Sequence, residues 1–314
     1  VSRALGLLMG FAADRWLGDP RRFHPVAGFG QLAGKLETKV YSDSRAAGTA
    51  YAGVLVGSMV AGGVVAERLT SGRPVARTLL TAAATWAVLG GRSLEREAEV
   101  MAGFLEAKEL EAARGRLSYL CSRDATDLSA DELARATVES VAENTSDATV
   151  APLFWGGLLG IPGLIGYRAA NTLDAMVGYK SARYRNFGWA SARLDDLVNL
   201  APARACAVLT GLVSGRPDET WRIWRRDAPG HPSPNAGPVE AAFAGALDLR
   251  LGGTNVYGAE VEDRGTLGDG LPPSVSDIRR TASLARRVSY AAAVTAAVLA
   301  LRPAWARREE RACN

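Results

Sequence analysis

The chain is poor in the residues that build the commonest metal and redox sites: its 314 residues include two histidines and three cysteines. Cys121, Cys206 and Cys313 are odd in number and far apart, which excludes a disulfide framework and a CxxC metal pair and leaves reduced thiols. His24 and His231 alone do not make a multi-histidine zinc site. Alternating β-branched residues are scarce, and Ala, Leu, Arg and Glu dominate the periodic segments, so the expected class is all-α. A basic stripe with interleaved aromatics is missing, and with it any expectation of a nucleic-acid partner. The stretch "GFGQLAGK" at 28–35 fails both glycine-rich nucleotide motifs. Phe29 stands where a P-loop needs glycine, and Ala33 where a dinucleotide fingerprint does, so any nucleotide is held differently.

Long uncharged runs are what the chain has instead. Hydrophobic residues make up 48% of it while the mean hydropathy is +0.00, a balance that fits apolar spans separated by polar inserts. Residues 46–66 and 148–167 carry no charge, and each reaches the roughly 20 residues that cross a bilayer core. The run 197–215 is broken only by Arg204, and 78–91 and 288–301 are shorter, fitting tilted spans, re-entrant pieces or buried helices. Residues 4–13 are apolar and followed at once by Asp14 and Arg15, which reads as an anchoring helix rather than a removed signal. Glycines four apart at Gly6 and Gly10, Gly53 and Gly57, and Gly156 and Gly160 predict close helix contacts in lipid. The expectation is a single integral-membrane domain over 1–314, a polytopic α-helical membrane protein with broken or re-entrant segments. It carries a polar helical insert at 92–147 and a polar insert at 214–287 that includes "HPSPNAG".

The net charge of +4 and the crowd of Arg302, Arg307, Arg308 and Arg311 after the last apolar run put that tail on the cytoplasmic side. In the first insert, Ser93 caps one expected helix, "SRDATDLS" turns the chain, and Ser129 with Glu132 forms a capping box for the next helix. In the second insert, Trp221 and Trp224 beside Arg222, Arg225 and Arg226 suit a membrane interface or, equally, a core with solvated arginines. Pro238 opens an expected helix that Gly252 and Gly253 end, so the loop before it leads to a helix N-terminus favourable to phosphate.

Three polar clusters flank the apolar runs. Glu139, Glu143 and Asp147 form a helical row that enters the 148–167 segment, with Asn144 and Ser146 alongside. Beyond that segment, Asn171 and Asp174 share a helix face, with Arg168 before them and Lys180 after. Asp195 and Asp196 precede Asn199, and such hard oxygen donors without histidine or cysteine fit Mg²⁺; a helix cap with an ion pair to Arg193 is the plain alternative. His24 and His231 both precede proline and therefore sit in extended loops, where they bind phosphate, move protons or simply shape the loop. Pro152, Pro162 and the glycines of 148–167 predict a segment that folds back and returns both of its polar mouths to one side.

The stretches "GDPRRFHPVAGFG", "ENTSDATVAPLFW", "YRAANTLDAMVGYKSARYRNFGWASARLDDLVNLAPAR" and "HPSPNAGPVEAAFAGAL" together resemble the cobalamin-biosynthesis membrane proteins of the CobD/CbiB family, adenosylcobinamide-phosphate synthases, over almost the whole chain in the family's order. The resemblance implies a multi-pass inner-membrane enzyme with its active site facing the cytoplasm. That enzyme joins adenosylcobyric acid to aminopropanol or its O-phosphate by an amide bond, using ATP and Mg²⁺. On that resemblance Glu143, Asp147, Asp174, Asp195 and Asp196 become acid/base or metal candidates, with Asp147, Asp195 and Asp196 the metal set. Lys180, Arg168 and Arg183 would hold phosphates, Asn144, Asn171 and Asn235 would bind corrin amides or metal, and His24 or His231 would accept the amine proton. Expected partners are the corrinoid, the amine donor and membrane lipid, with a homo-oligomer allowed. The competing expectations are a signalling protein of the related AmpE branch and a transporter.

Overall fold

Helix-forming residues and short, Gly/Pro-marked connections dominate the chain, and the computed structural model of the protein is accordingly helical. It describes residues 1–19, 24–257 and 260–312, with side chains except those of 255–262 and 302–312. The side chains of the arginine tail, and the whole of the "PRRF" of the first quoted motif, lie outside that description. The elements are α1 (Ser2–Leu17), α2 (Pro25–Val40), α3 (Arg45–Leu69), α4 (Pro74–Val88), α5 (Gly91–Glu106), α6 (Leu110–Leu117) and α7 (Ala130–Thr145). A π-helical turn (Ser146–Val150) leads to α8 (Ala151–Leu159), α9 (Ile161–Val177), α10 (Trp189–Ser214), α11 (Pro217–Asp227) and α12 (Ala236–Leu247). The antiparallel strands β1 (Leu251–Tyr257) and β2 (Glu260–Leu267) precede α13 (Val275–Ala312).

The all-α expectation holds, with the β1–β2 hairpin as its one departure among the described residues. Gly252 and Gly253 do not end α12 as expected. That helix stops earlier, at Asp248 in the left-handed region, and both glycines take positive φ inside β1, where the register shifts. The helix expected to start at Ser93 starts at Gly91, and α6 adds a helix between the two foreseen in the first insert. Ser129 caps α7 with the full reciprocal box to Glu132.

Among the described residues three helices are long and apolar enough to cross a bilayer: α3, α10 and residues 275–301 of α13, which points to a membrane protein. In α3 only 22% of the apolar window is covered by protein, so lipid is its natural solvent. The 78–91 run yields only the 15-residue α4, too short for a straight span.

The chain forms two compact units, one of residues 1–90, 151–199 and 292–314, the other of 91–150 and 200–291. In the first, α1 lies against α4 with almost no space between backbones. A Cβ on Gly6 would stand 2.6 Å from Thr81 Cβ, and one on Gly10 would stand 2.4 Å from Thr85 Cβ. Gly63 backs on to Pro162 and Gly166 on to Val60, which lets α3 pack along α9. Gly53 and Gly57 meet nothing within 4 Å and take no part in such a contact.

The 148–167 run is not one helix. It breaks at Gly160, whose φ of 73° suits glycine, and α8 and α9 fold against each other so that Gly163 backs on to the Trp155 carbonyl and Gly156 meets Leu164. The break is stabilised electrostatically: Glu67 accepts the Ile161 N–H at 3.2 Å and pairs with Arg3 at 3.4 Å and Arg77 at 3.2 Å. Arg3 also donates to the Leu158 carbonyl at 3.2 Å, one of the last in α8. In the second unit α12 is buried along its whole length, and α7 and α11 pack against it. Leu133, Val141, Phe243, Leu251 and Ile278 are among the buried apolar side chains of this unit.

The packing separates the glycine pairs experimentally. Gly10→Leu forces α1 from α4 and costs about 1–3 kcal/mol, seen as a lower midpoint of thermal unfolding in detergent. Gly57→Leu, which meets open space, leaves the midpoint unchanged; equal effects of the two would contradict the packing.

Candidate functional site

In the first unit a chain of polar groups converges on Asp195. Arg168 donates through Nε to the Val88 carbonyl at 2.7 Å and through Nη1 to Asn171 Oδ1 at 3.2 Å. Asn171 Nδ2 then donates to Asp195 Oδ1 at 3.4 Å. From the other side Tyr167 donates to Asn199 Oδ1 at 2.9 Å, and Asn199 Nδ2 to Asp195 Oδ2 at 3.0 Å. All donation runs toward Asp195, so its two oxygens are oriented by amides that are themselves held, and each bond polarises the next. Asn199 and Tyr167 are nearly inaccessible, which keeps this set rigid. Helical spacing accounts for it: Asp195 and Asn199 are four apart on α10, Tyr167 and Asn171 four apart on α9.

The other candidates of this unit take lesser positions. Asp196 pairs with Arg193 at 3.5 Å, the plain alternative for that residue, and Lys180 lies near enough to act on it electrostatically. Asp174 sits in the last turn of α9 with its carboxyl over Gly178, where a side chain would collide with it. Arg183 is clipped to α2: it pairs with Glu37 at 3.0 Å and stacks 4.2 Å above Tyr41. His24 is the N-cap of α2, its Nδ1 accepting the Val26 N–H at 3.2 Å. Arg168 and Arg183 thus make protein contacts where phosphate contacts had been expected.

The second unit concentrates charge around α12. Glu240 is fully buried, accepts from Arg264 Nη1 at 3.1 Å, and stands 3.8 Å from His231 Nε2. Burial holds the Glu240 carboxyl well above its ordinary 4.5; Arg264 opposes the rise, and the neighbouring Glu139 and Glu143 reinforce it. Glu139 is paired with Arg123 at 2.6 Å, both side chains being buried, and accepts the Gly252 N–H at 2.8 Å. Arg135, on the same helix face, binds the Gly252 and Thr254 carbonyls. The upper part of the row read from the sequence therefore fixes α7 to β1. Glu143 and Asp147 are half-buried, and Asp147 lies in the π-helical turn, a local widening that recurs at functional sites. Asn144 bonds back to the Ser140 carbonyl at 2.9 Å, and Asn235 accepts from Arg204 at 3.4 Å.

Within neither unit, among the described residues, do three or more His, Cys, Asp or Glu side chains group as a metal cage. Asp195 and Asp196 are oxygen donors of the type Mg²⁺ takes, but here Asp195 accepts from Asn171 and Asn199 and Asp196 pairs with Arg193. Glu240 escaped the sequence reading, although a single charge in the otherwise apolar "AGPVEAAFAGAL" was the signal for it. Tyr167 escaped because its role depends on the turn that brings α9 to α10.

The raised Glu240 carboxyl gives a stability test with a definite sign. The folded protein holds that proton more tightly than the unfolded chain, so this contribution is present below 4.5 and is lost as pH rises toward the elevated value. Thermal melts from about pH 5 to about pH 9 should show Glu240→Gln gaining on the wild type as pH rises. Parallel curves would mean that Glu240 is ionised in the fold.

The family described as "CobD/Cbib protein" matches residues 7–285. The chain is 52% identical to cobalamin biosynthesis protein CobD of Mycobacterium tuberculosis over 307 residues, covering 96% of this chain and 97% of that one. It is 42% identical to the protein of the same description from Chromobacterium violaceum, covering 91% and 93%, and 43% identical to that of Geobacter metallireducens, covering 83% and 85%. No solved structure matches the chain. A family match over residues 7–285 and 52% identity over 96% of the chain make it a member of the CobD/CbiB family of cobalamin biosynthesis proteins.

Proposed function

We propose that the protein is an adenosylcobinamide-phosphate synthase, forming an amide between the free propionate of adenosylcobyric acid and aminopropanol or its O-phosphate, with ATP consumed. Family membership supports the pathway, and the oriented Asp195 supports the chemistry, because a carboxylate fixed by two amides serves phosphoryl transfer by positioning charge. A propionate resists amine attack. In this reading its oxygen attacks the terminal phosphorus of ATP and ADP leaves; the amine then attacks the acyl carbon, phosphate leaves, and the amine proton passes to a carboxylate. Asp147, in the π-helical turn one step beyond Glu143, is the proposed acceptor.

Asp195 and Asp196 would hold Mg²⁺, whose role when bound is to neutralise phosphate charge. Tyr167, Asn171 and Asn199 orient Asp195. The protein is proposed to sit in the inner membrane with this chemistry on the cytoplasmic side, where ATP is.

Purified protein in nanodiscs, given adenosylcobyric acid, Mg²⁺, ATP and either amine donor, should yield the amide by mass spectrometry, and the better donor identifies the natural one. Asp147→Asn should lower turnover by about 10²–10⁴-fold with the thermal midpoint unchanged. No amide from folded wild-type protein would turn the reading toward transport, and full activity in the variant would remove Asp147 from the chemistry.

A further inference from the structure

Residues 178–188 connect α9 to α10 in the first unit and form neither helix nor strand. The two ends of this loop meet: Gly188 backs on to the Val177 carbonyl, where a Cβ would stand 1.7 Å away, while residues 179–183 are exposed. That is the geometry of an Ω-loop, a class of compact surface loop that frequently carries function. Left to itself, a loop with so exposed a tip would be mobile.

What holds it comes from the end of α2 and the start of α3. Glu37 and Tyr41 are four apart, so they lie on one helix face, and both reach the loop. The Glu37 carboxylate is buried, and a single oxygen, Oε1, accepts from Arg183 Nη2 and from the Tyr184 hydroxyl at 3.0 Å each. The Tyr41 hydroxyl donates to the Arg183 carbonyl at 2.9 Å. Asn186 donates to Asp43 at 3.0 Å, and the buried Phe187 packs on the rings of Tyr41 and Tyr51, with centroids 5.3 and 5.1 Å away.

Global stability does not account for the Glu37 anchor, because Arg183 is about half exposed and such a pair adds little. Its effect is local: two bonds to adjacent residues fix the backbone at 183–184. Lys180, three residues before, is close enough to act electrostatically on Asp196. A lysine is a point charge on a flexible stem, so where its ammonium stands depends on where the backbone beneath it is held.

We propose that Glu37 is a positioning residue for Lys180: by holding Arg183 and Tyr184 it fixes the loop that presents the Lys180 ammonium beside Asp196. The inference rests on the proposed function in one respect, that this ammonium meets a phosphate of ATP. A nitroxide on Ser181→Cys, with Cys121, Cys206 and Cys313 replaced by alanine, reports the loop in nanodiscs without turnover, and calorimetry with ATP and Mg²⁺ reports affinity. Glu37→Ala should raise the label's mobility and weaken ATP binding by about tenfold, worth about 1.4 kcal/mol. Glu37→Gln, whose amide oxygen still accepts both bonds, should recover most of the order. Tyr184→Phe removes one bond and keeps the ring, so it should loosen the loop less, and it decides the matter if Glu37→Ala does not fold. In a Lys180→Met background the loss of affinity caused by Glu37→Ala should vanish, whereas a purely structural Glu37 would give additive losses. Additive losses overturn the proposal, as do unchanged mobility in Glu37→Ala and Tyr184→Phe, wild-type affinity in a loosened loop, and wild-type protein that binds no ATP. Wild-type protein that binds ATP with an ordered loop but forms no amide contradicts the proposed reaction alone, so the two failures are told apart.

Discussion

A carboxylate surrounded by apolar helices must be paired, hydrogen-bonded or protonated, since an unpaired charge in a low-dielectric interior costs several kcal/mol. That constraint organises both units. Glu67 is held by Arg3, Arg77 and a helix N–H; Asp195 by two amides; Glu139 by Arg123 and a backbone N–H. Glu240, which among the described residues accepts a hydrogen bond from Arg264, meets the constraint differently, burial pushing its carboxyl well above the ordinary range. Each solution ties together elements distant in sequence, so the carboxylates act as fasteners as much as reagents.

The fasteners work only because backbones come close enough for short side chains to reach. In a bilayer, helices gain little from hiding apolar surface from one another, and small residues that permit contact supply the attraction. Gly6 and Gly10 seat α1 on α4, and Gly63 and Gly166 seat α3 along α9. The latter contact sets the end of α3, with Glu67, beside the Gly160 break. Pro202 plays a related part. A proline inside α10 leaves the Val198 carbonyl without its helical donor, and the Trp155 indole takes that carbonyl at 2.9 Å.

What was legible from sequence follows from how local each signal is. The 46–66 span, the capping box and the break in the 148–167 run are decided within a few residues and stand at or near their expected places, while 148–167 and 78–91 do not form span-length helices. The shared faces of Asn171 with Arg168 and of Asp195 with Asn199 were legible too, because helical spacing alone fixes them. Partners across the fold were not. Nothing near Arg183 announces Glu37, 146 residues away, and nothing near Glu139 announces the Gly252 amide. The hairpin was missed because strand and helix propensities differ little in "LRLGGTNVY", and it forms where two glycines with positive φ make a helix unfavourable.

Pairing also gives a physical rule for telling structural charges from functional ones in this protein. Arg123, Arg168, Arg183, Arg222, Arg226 and Arg264 all end on a carboxyl or carbonyl oxygen; removing Arg123, buried with Glu139, would first damage the fold, whereas the half-exposed pairs of Arg183, Arg222 and Arg226 add little to stability. Arg204 follows the same rule, its Nη1 donating to the Leu200 carbonyl at 2.9 Å, whereas the exposed Arg225 is solvated by water and needs no protein partner.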